Sequence, residues 1–258
     1  MLSVISPAKT LDFETPSTTR KATQPEFIER AAALVDDARQ MNPADIRSLM
    51  GVSENIAALN HERFMNWHVP FDRENAKQAV LAFKGDVYTG LEAGTLSAAQ
   101  LTFAQKHLRI LSGLYGVLRP LDLMQPYRLE MGLKFGNSGG ANLYEFWGDD
   151  ITASLNRQLR KSGSPVLLNL ASNEYFRSVQ PGALDAEVIT PVFKDLKNGK
   201  YRIISFFAKK ARGQMARYVI ENEINDVAPL KKYRGGGYRY NAKESTAREL
   251  VFTRDTPQ

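Results

Sequence analysis

Charged side chains able to act together are concentrated in a few stretches of the chain. The densest runs from Ser112 to Gly132, where Arg119, Asp122, Arg128 and Glu130 are interleaved with leucines, methionines and two prolines. The prolines deny this stretch a long helix. Charges so close to apolar residues cannot all reach bulk water, so some must pair internally. Such an arginine–carboxylate network is either a catalytic pocket that shifts pKa values or a structural clamp on an irregular loop. A second stretch, Phe83 to Gly90, presents Lys84, Asp86 and Tyr88 between Gly85 and Gly90, which permit positive φ. Lys9 follows the short apolar run Leu2–Ile5, and Asn169, Asn173, Glu174 and Tyr175 lie in or just after the run Val166–Leu170. Loops at the carboxyl ends of strands are where α/β proteins hold ligands. Lys9, Asp86, Tyr88, Arg119, Asp122, Arg128, Glu130 and Glu174 are therefore candidates for one pocket. A lysine there acts as base or nucleophile once it loses its proton, with a carboxylate as its acid–base partner. No hydrolase or transferase motif attaches a particular reaction to them.

A different chemistry is suggested by charge. The chain of 258 residues carries 34 Lys and Arg against 28 Asp and Glu, a formal net charge of +6. Residues 194–239 hold 12 of the basic side chains and 4 of the acidic ones, leaving 22 against 24 elsewhere. A basic stretch beside a mildly acidic body is either a footprint for a polyanion or a lysine-rich solvated surface. Ala211, Met215 and Val219 lie at helical spacing and are the core stripe, which leaves Lys209, Lys210, Arg212 and Arg217 to face outward or line a groove. Gly213, costly inside a helix, marks a close backbone approach, to a phosphate for instance, or a later helix start. In Tyr233–Tyr240, Arg234 and Arg239 alternate with tyrosines around three glycines. That composition suits nucleic acid, with arginines for phosphates and tyrosines for stacking; it equally suits an ordinary loop.

Residues 46–59 read as two short helices around Gly51, Val52 and Ser53. This pattern is either a plain αα-hairpin or a helix-hairpin-helix, in which hairpin N–H groups contact a DNA phosphate. Ser53 stands where the second glycine of that motif is usual, and it can instead cap the second helix. Residues 43–63 carry 2 basic and 3 acidic side chains, a poor local field for phosphate.

The elements that must position these groups follow from periodicity. Leu2–Ile5 and Val166–Leu170 read as buried strands, and Glu187–Phe193, Tyr201–Phe207 and Glu249–Thr253 as further strands, with Asn198-Gly199 as a hairpin turn. Helices are expected near residues 26–41, 43–50, 54–64, 75–83, 98–111, 151–159 and 208–224. The expected fold is α/β, a compact mixed sheet with helices on both faces, in one domain of residues 1–258 within which 26–64 forms a helical lobe. With no cysteine, the chain has no disulfide, thiolate zinc site or self-ligated iron–sulfur cluster, and only 3 histidines. His61, His68 and His107 fall outside any Glu-x-x-His pattern, so no metal site or cofactor is expected. The N-terminal residues do not read as a signal peptide and no apolar run approaches a bilayer span, so a cytoplasmic protein without a membrane partner is expected.

Several strings together resemble the YaaA family of bacterial peroxide-stress proteins: Ser6–Asp12, Ala82–Gly90, Ser112–Met131, Asn169–Ser172, Glu174–Phe176 and Ala208–Gly213. The resemblance runs from Met1 to about Phe252. It implies a cytosolic protein made under hydrogen peroxide stress, which limits free iron and so Fenton damage to DNA and protein. It also implies a compact α/β fold peculiar to the family, and DNA binding through a basic cleft and a helix-hairpin-helix. The expected partner is duplex or branched DNA with weak sequence preference, and no obligate protein partner is expected. The resemblance brings no established reaction. In a single basic cleft, Arg119 and Arg128 would form the floor and Lys209, Lys210 and Arg212 the wall.

Overall fold

The computed structural model describes residues 1–256. The chain opens with β1 (Leu2–Ile5) and β2 (Thr10–Leu11), followed by helices α1 (Ile28–Arg39), α2 (Pro43–Met50) and α3 (Glu54–Asn66). Next come β3 (Lys77–Gln78), α4 (Ala79–Ala82), β4 (Phe83–Lys84), α5 (Asp86–Leu91), α6 (Ala98–His107), β5 (Leu108–Ser112), β6 (Gly116–Leu118) and β7 (Leu123–Met124). Helices α7 (Leu143–Trp147) and α8 (Asp150–Ser162) lead to β8 (Val166–Leu170) and α9 (Asn173–Phe176). The remainder is β9 (Glu187–Lys197), β10 (Lys200–Arg202), α10 (Ser205–Glu221), β11 (Arg239–Tyr240) and β12 (Glu249–Arg254).

One mixed sheet organises the molecule, in the order β11-β12-β9-β8-β1-β5-β6, with β10 hairpinned onto β9. Its centre is parallel: Val4 of β1 lies opposite Arg109 on one side and Asn169 on the other. All residues of β1, β5 and β8 are buried, as expected of strands covered on both faces. Helix α1 adds Ala31, Leu34, Val35 and Ala38 to the same hydrophobic cluster, and α10 adds Ala211, Met215 and Val219.

Three elements differ from the periodicity reading. The helix expected over 98–111 ends at His107, and Leu108–Ser112 is instead the strand beside β1. Leu108 and Leu111 continue the helical spacing of Leu101 and Ala104, yet pairing with the central strand overrides it. Residues 75–83 are not one helix. Buried Lys77 donates Nζ to the carbonyls of Asp12 and Thr15, and Gln78 donates to those of Thr19 and Lys21. These side chains bind down the 12–21 loop, and only the single turn α4 follows them. The strand expected over 201–207 stops at Arg202, and Phe206 and Phe207 begin α10.

Helix α10 lies against α5 at van der Waals limits. A Cβ built on Gly213 would stand 1.8 Å from the Val87 carbonyl oxygen, and one on Gly90 would stand 2.1 Å from that of Lys210. The close approach at Gly213 is therefore helix on helix, not backbone on phosphate. Gly213→Ala should destabilise the protein by about 1–3 kcal/mol, the usual cost of overpacking. Urea denaturation of the variant beside the parent checks this.

Candidate functional site

A cavity of about 420 Å³ opens beyond the carboxyl ends of β1 and β8. It is walled by the loop Ser6–Thr10 after β1, by Ser172, Glu174 and Tyr175 after β8, by Lys84–Val87 at the start of α5, by the coil Tyr127–Glu130, and by Lys209 and Arg212 of α10. The two strand ends are stitched together. The Ser172 N–H donates to Ser6 Oγ at 2.8 Å, and Ser6 Oγ donates to Ser172 Oγ at 3.2 Å.

The electrostatic centre is Glu130, 8% exposed. Its Oε1 faces Lys9 Nζ at 3.0 Å, and Arg128 reaches the same oxygen through Nε at 3.1 Å and Nη2 at 3.0 Å. Its Oε2 is buried with no hydrogen-bond partner, an uncommon and costly state for a carboxylate oxygen. Glu174 closes another part of the wall by accepting the Gly132 N–H at 3.0 Å. Asp86 begins α5 with its carboxylate half-exposed, and Lys84 approaches Asp12 at 3.8 Å.

Across from this group stands Arg212, half-buried and without a carboxylate within ion-pair distance among the described residues. Burial lowers its pKa, and no neighbouring charge offsets that cost. Lys209, one turn earlier, is exposed and equally unpaired among the described residues. The lining thus carries Lys9, Lys84, Arg128, Lys209 and Arg212 against Asp86, Glu130 and Glu174, so cations prevail. An anion is the ligand that would relieve Arg212.

Of the eight pocket candidates, Lys9, Asp86, Arg128, Glu130 and Glu174 converge here, and Tyr88, Arg119 and Asp122 do not. Tyr88 lies behind the wall, buried, its OH donating to the Ser6 carbonyl at 3.1 Å; burial raises its pKa strongly. Arg119 and Asp122 form the structural clamp. Asp122, 1% exposed, accepts from Arg119 N at 2.7 Å, Arg119 Nε at 3.0 Å and Thr23 Oγ1 at 2.6 Å. Arg119 also donates to the Gln24 carbonyl, so the pair ties the 119–122 turn to the segment before α1. The cleft floor therefore holds Arg128 and not Arg119.

The basic candidates divide in the same way. Lys209 and Arg212 line the cavity, and half-buried Lys210 lies beside them on α10 outside the lining. Arg217 is turned inward, donating to the carbonyls of Leu91 and Glu92, to Thr95 Oγ1 and to Glu221. Arg234 donates to the Tyr233 carbonyl, and Arg239 is exposed on β11. Tyr233 and Tyr238 are 2% and 1% exposed, and Tyr238 OH donates to Asp195 at 2.8 Å, so neither ring is open to a base. Two of the three tyrosines of this segment are core, and Tyr240 is half-buried against Phe252 with Lys231 over its ring.

Helices α2 and α3 do meet at Gly51–Ser53. Gly51 takes φ +59°, whereas Ser53 takes φ −67° and caps α3 by accepting the Ile56 N–H. A second glycine is thus not required by the backbone. Arg47 pairs with Glu54 across the turn at 2.8 Å, which neutralises the nearest cation.

Sequence reasoning missed Ser6, Ser172, Tyr127 and the role of Lys84. Ser6 directly follows one strand read as buried and Ser172 lies two residues after another, so the strand-end rule could have found them. Nothing local marks Tyr127, whose OH pairs with Ser112 Oγ at 2.6 Å. No group of three or more His, Asp or Glu able to hold a metal occurs among the described residues, and none of their helices is long and apolar enough to cross a membrane.

The protein is a mixed α/β sheet with a cavity at its central strand ends whose lining holds more cations than carboxylates. The chain matches the family model described as peroxide stress protein YaaA over residues 1–244, and it belongs to that family. It is 59% identical to a UPF0246 protein of Cellvibrio japonicus, with all of both chains covered. It is 56% identical to one of Shewanella loihica, covering 99% of each chain, and 58% identical to one of Aliivibrio fischeri, covering 99% of this chain and 98% of that one.

Arg119→Ala should cost about 2 kcal/mol of stability, less than the 3–5 typical of a broken buried pair because Arg119 is 38% exposed. It should leave the cavity intact. Urea unfolding monitored with the tryptophans measures the first effect, and an unchanged thermal shift on adding a polyphosphate checks the second.

Proposed function

We propose that this protein acts in peroxide stress by binding DNA, without sequence preference, through the cationic cavity and the basic surface around it. The observation that carries the reading is the pair Lys209 and Arg212, which project from one face of α10 without carboxylate partners among the described residues. Arg128, whose Nε and Nη2 hold Glu130, has Nη1 left for a phosphate, and Lys9 adds a mobile point charge. Lys210, Arg234 and Arg239 extend the field outward. The Gly51–Val52–Ser53 turn is a second contact, made through the Ser53 N–H, since the N–H groups of Gly51 and Val52 already donate to the Arg47 carbonyl. Covering DNA limits its exposure to Fenton chemistry. Any lowering of free iron is indirect in this reading, and stoichiometric tight Fe(II) binding by the purified protein would overturn that part.

Phosphate neutralisation releases counterions, so affinity should fall steeply as salt rises. Lys209→Glu with Arg212→Glu should weaken binding on every sequence alike and reduce the salt slope by about two phosphates' share. Arg128→Lys keeps its charge but loses the planar guanidinium, so its deficit should persist at high salt. Fluorescence anisotropy across a salt series measures all three. Absence of binding at about 50 mM salt would sink the reading.

A second reading is favoured by one observation, the joining of Lys9, Arg128 and Glu130 in a cavity that also holds Asp86 and Glu174. That set can move a proton or present an amine nucleophile. It predicts a chemical change in bound DNA, seen as an altered nucleoside by mass spectrometry and lost in Lys9→Met. Unchanged nucleosides after prolonged incubation with the parent protein rule it out.

A further inference from the structure

DNA binding at this cavity raises a question of size. A space of about 420 Å³ falls in the range that encloses one small ligand, and no length of duplex can enter it. Yet Arg212, Arg128 and Glu130 lie in its lining, where an outer phosphate backbone does not reach them all. Cations with no purpose at the rim would be simpler and less costly on the open surface.

We infer that the cavity receives a single nucleotide extruded from the helix. The inference rests on the DNA-binding reading and names the part of the polymer that the site holds. Three features of the lining fit a nucleotide. Lys209 and Arg212 on one wall supply the charge for its phosphate. Pro7, Val87, Leu129, Leu170 and the edge of Tyr175 give apolar surface for a flat ring. Asp86, whose carboxylate has no hydrogen-bond or ion-pair partner among the described residues, offers acceptors for a base N–H of the kind that pairs are read by.

A fourth feature lies outside the cavity. Phe206 is 57% exposed, one helical turn before Lys209 on α10, so the two side chains are neighbours. Ile203, just ahead of the helix, is 59% exposed. Large apolar side chains on a basic surface are what proteins insert between base steps, filling the space a displaced base leaves. Lys197, Lys200 and Arg202 flank them, with no carboxylate within ion-pair distance among the described residues. Phe206 is the wedge and the cavity is the receptacle.

Extrusion costs less where a base is already unpaired. The test compares a fully paired duplex, the same duplex with one mismatch and one with a single unpaired nucleotide, using the full chain at a single salt concentration. The mismatched and bulged duplexes should bind at least tenfold more tightly than the paired one. Nucleoside 5′-monophosphate should compete for them better than inorganic phosphate at equal concentration. Ala8→Trp fills the cavity from a half-exposed loop position while keeping every charge. It should bring the mismatched and bulged duplexes down to the affinity of the paired one. Phe206→Ala should reduce the preference severalfold, and its exposure makes misfolding no explanation. Equal affinity for all three duplexes in the parent, or an undiminished preference in both variants, overturns the nucleotide pocket while leaving DNA binding in place. Failure of every duplex to bind overturns DNA binding itself.

Discussion

The four residues of β1 are the constraint from which the site follows. Leu2–Ile5 are hydrogen-bonded in parallel to β5 and β8 at once and are buried on both faces. Two parallel neighbours point three strand ends the same way, and the chain must leave at that edge. Backbone groups there have no ladder partners, so polar side chains finish the pairing, as Ser6 and Ser172 do for each other. The cavity is the space left where the sheet stops and these loops diverge.

Whether that space is net positive depends on α10, whose position is set by two glycines. Gly90 and Gly213 allow helix backbones to touch, and that contact holds the helix face bearing Lys209 and Arg212 against Asp86 and Val87. Glu130 then does two jobs. It compensates Lys9 and Arg128, and it keeps the floor from being uniformly positive. The unpaired cations are left on the opposite wall, so the cavity has a polarity as well as a net sign.

Much of this was legible in the residues. The apolar runs of β1 and β8, the stripe of α10 and the turn at Asn198-Gly199 announce themselves by local chemistry, and each is where it was expected. Lys9 and Glu174 were legible because strand ends are privileged places. Leu108–Ser112 was not, because its leucines fit a helix as well as a strand and only the neighbouring β1 decides between them. Arg119 and Arg128 illustrate the same limit within one segment. Both sit in a proline-broken coil beside carboxylates, yet one ends as a clamp on Asp122 and the other faces the cavity. Tyr233 and Tyr238 look like stacking residues by composition, and the aromatic cluster around Phe193 and Phe252 absorbs them into the core.

The cations of the cavity come from positions 9, 84, 128, 209 and 212. During synthesis the ribosome releases the first three long before the last two. Over residues 1–208, before either of the last two, basic and acidic side chains nearly balance, 23 against 22. A nascent or truncated chain therefore does not present the assembled set of cations. The full set of cations arrives with α10 and requires its docking on α5, so only the finished fold carries it.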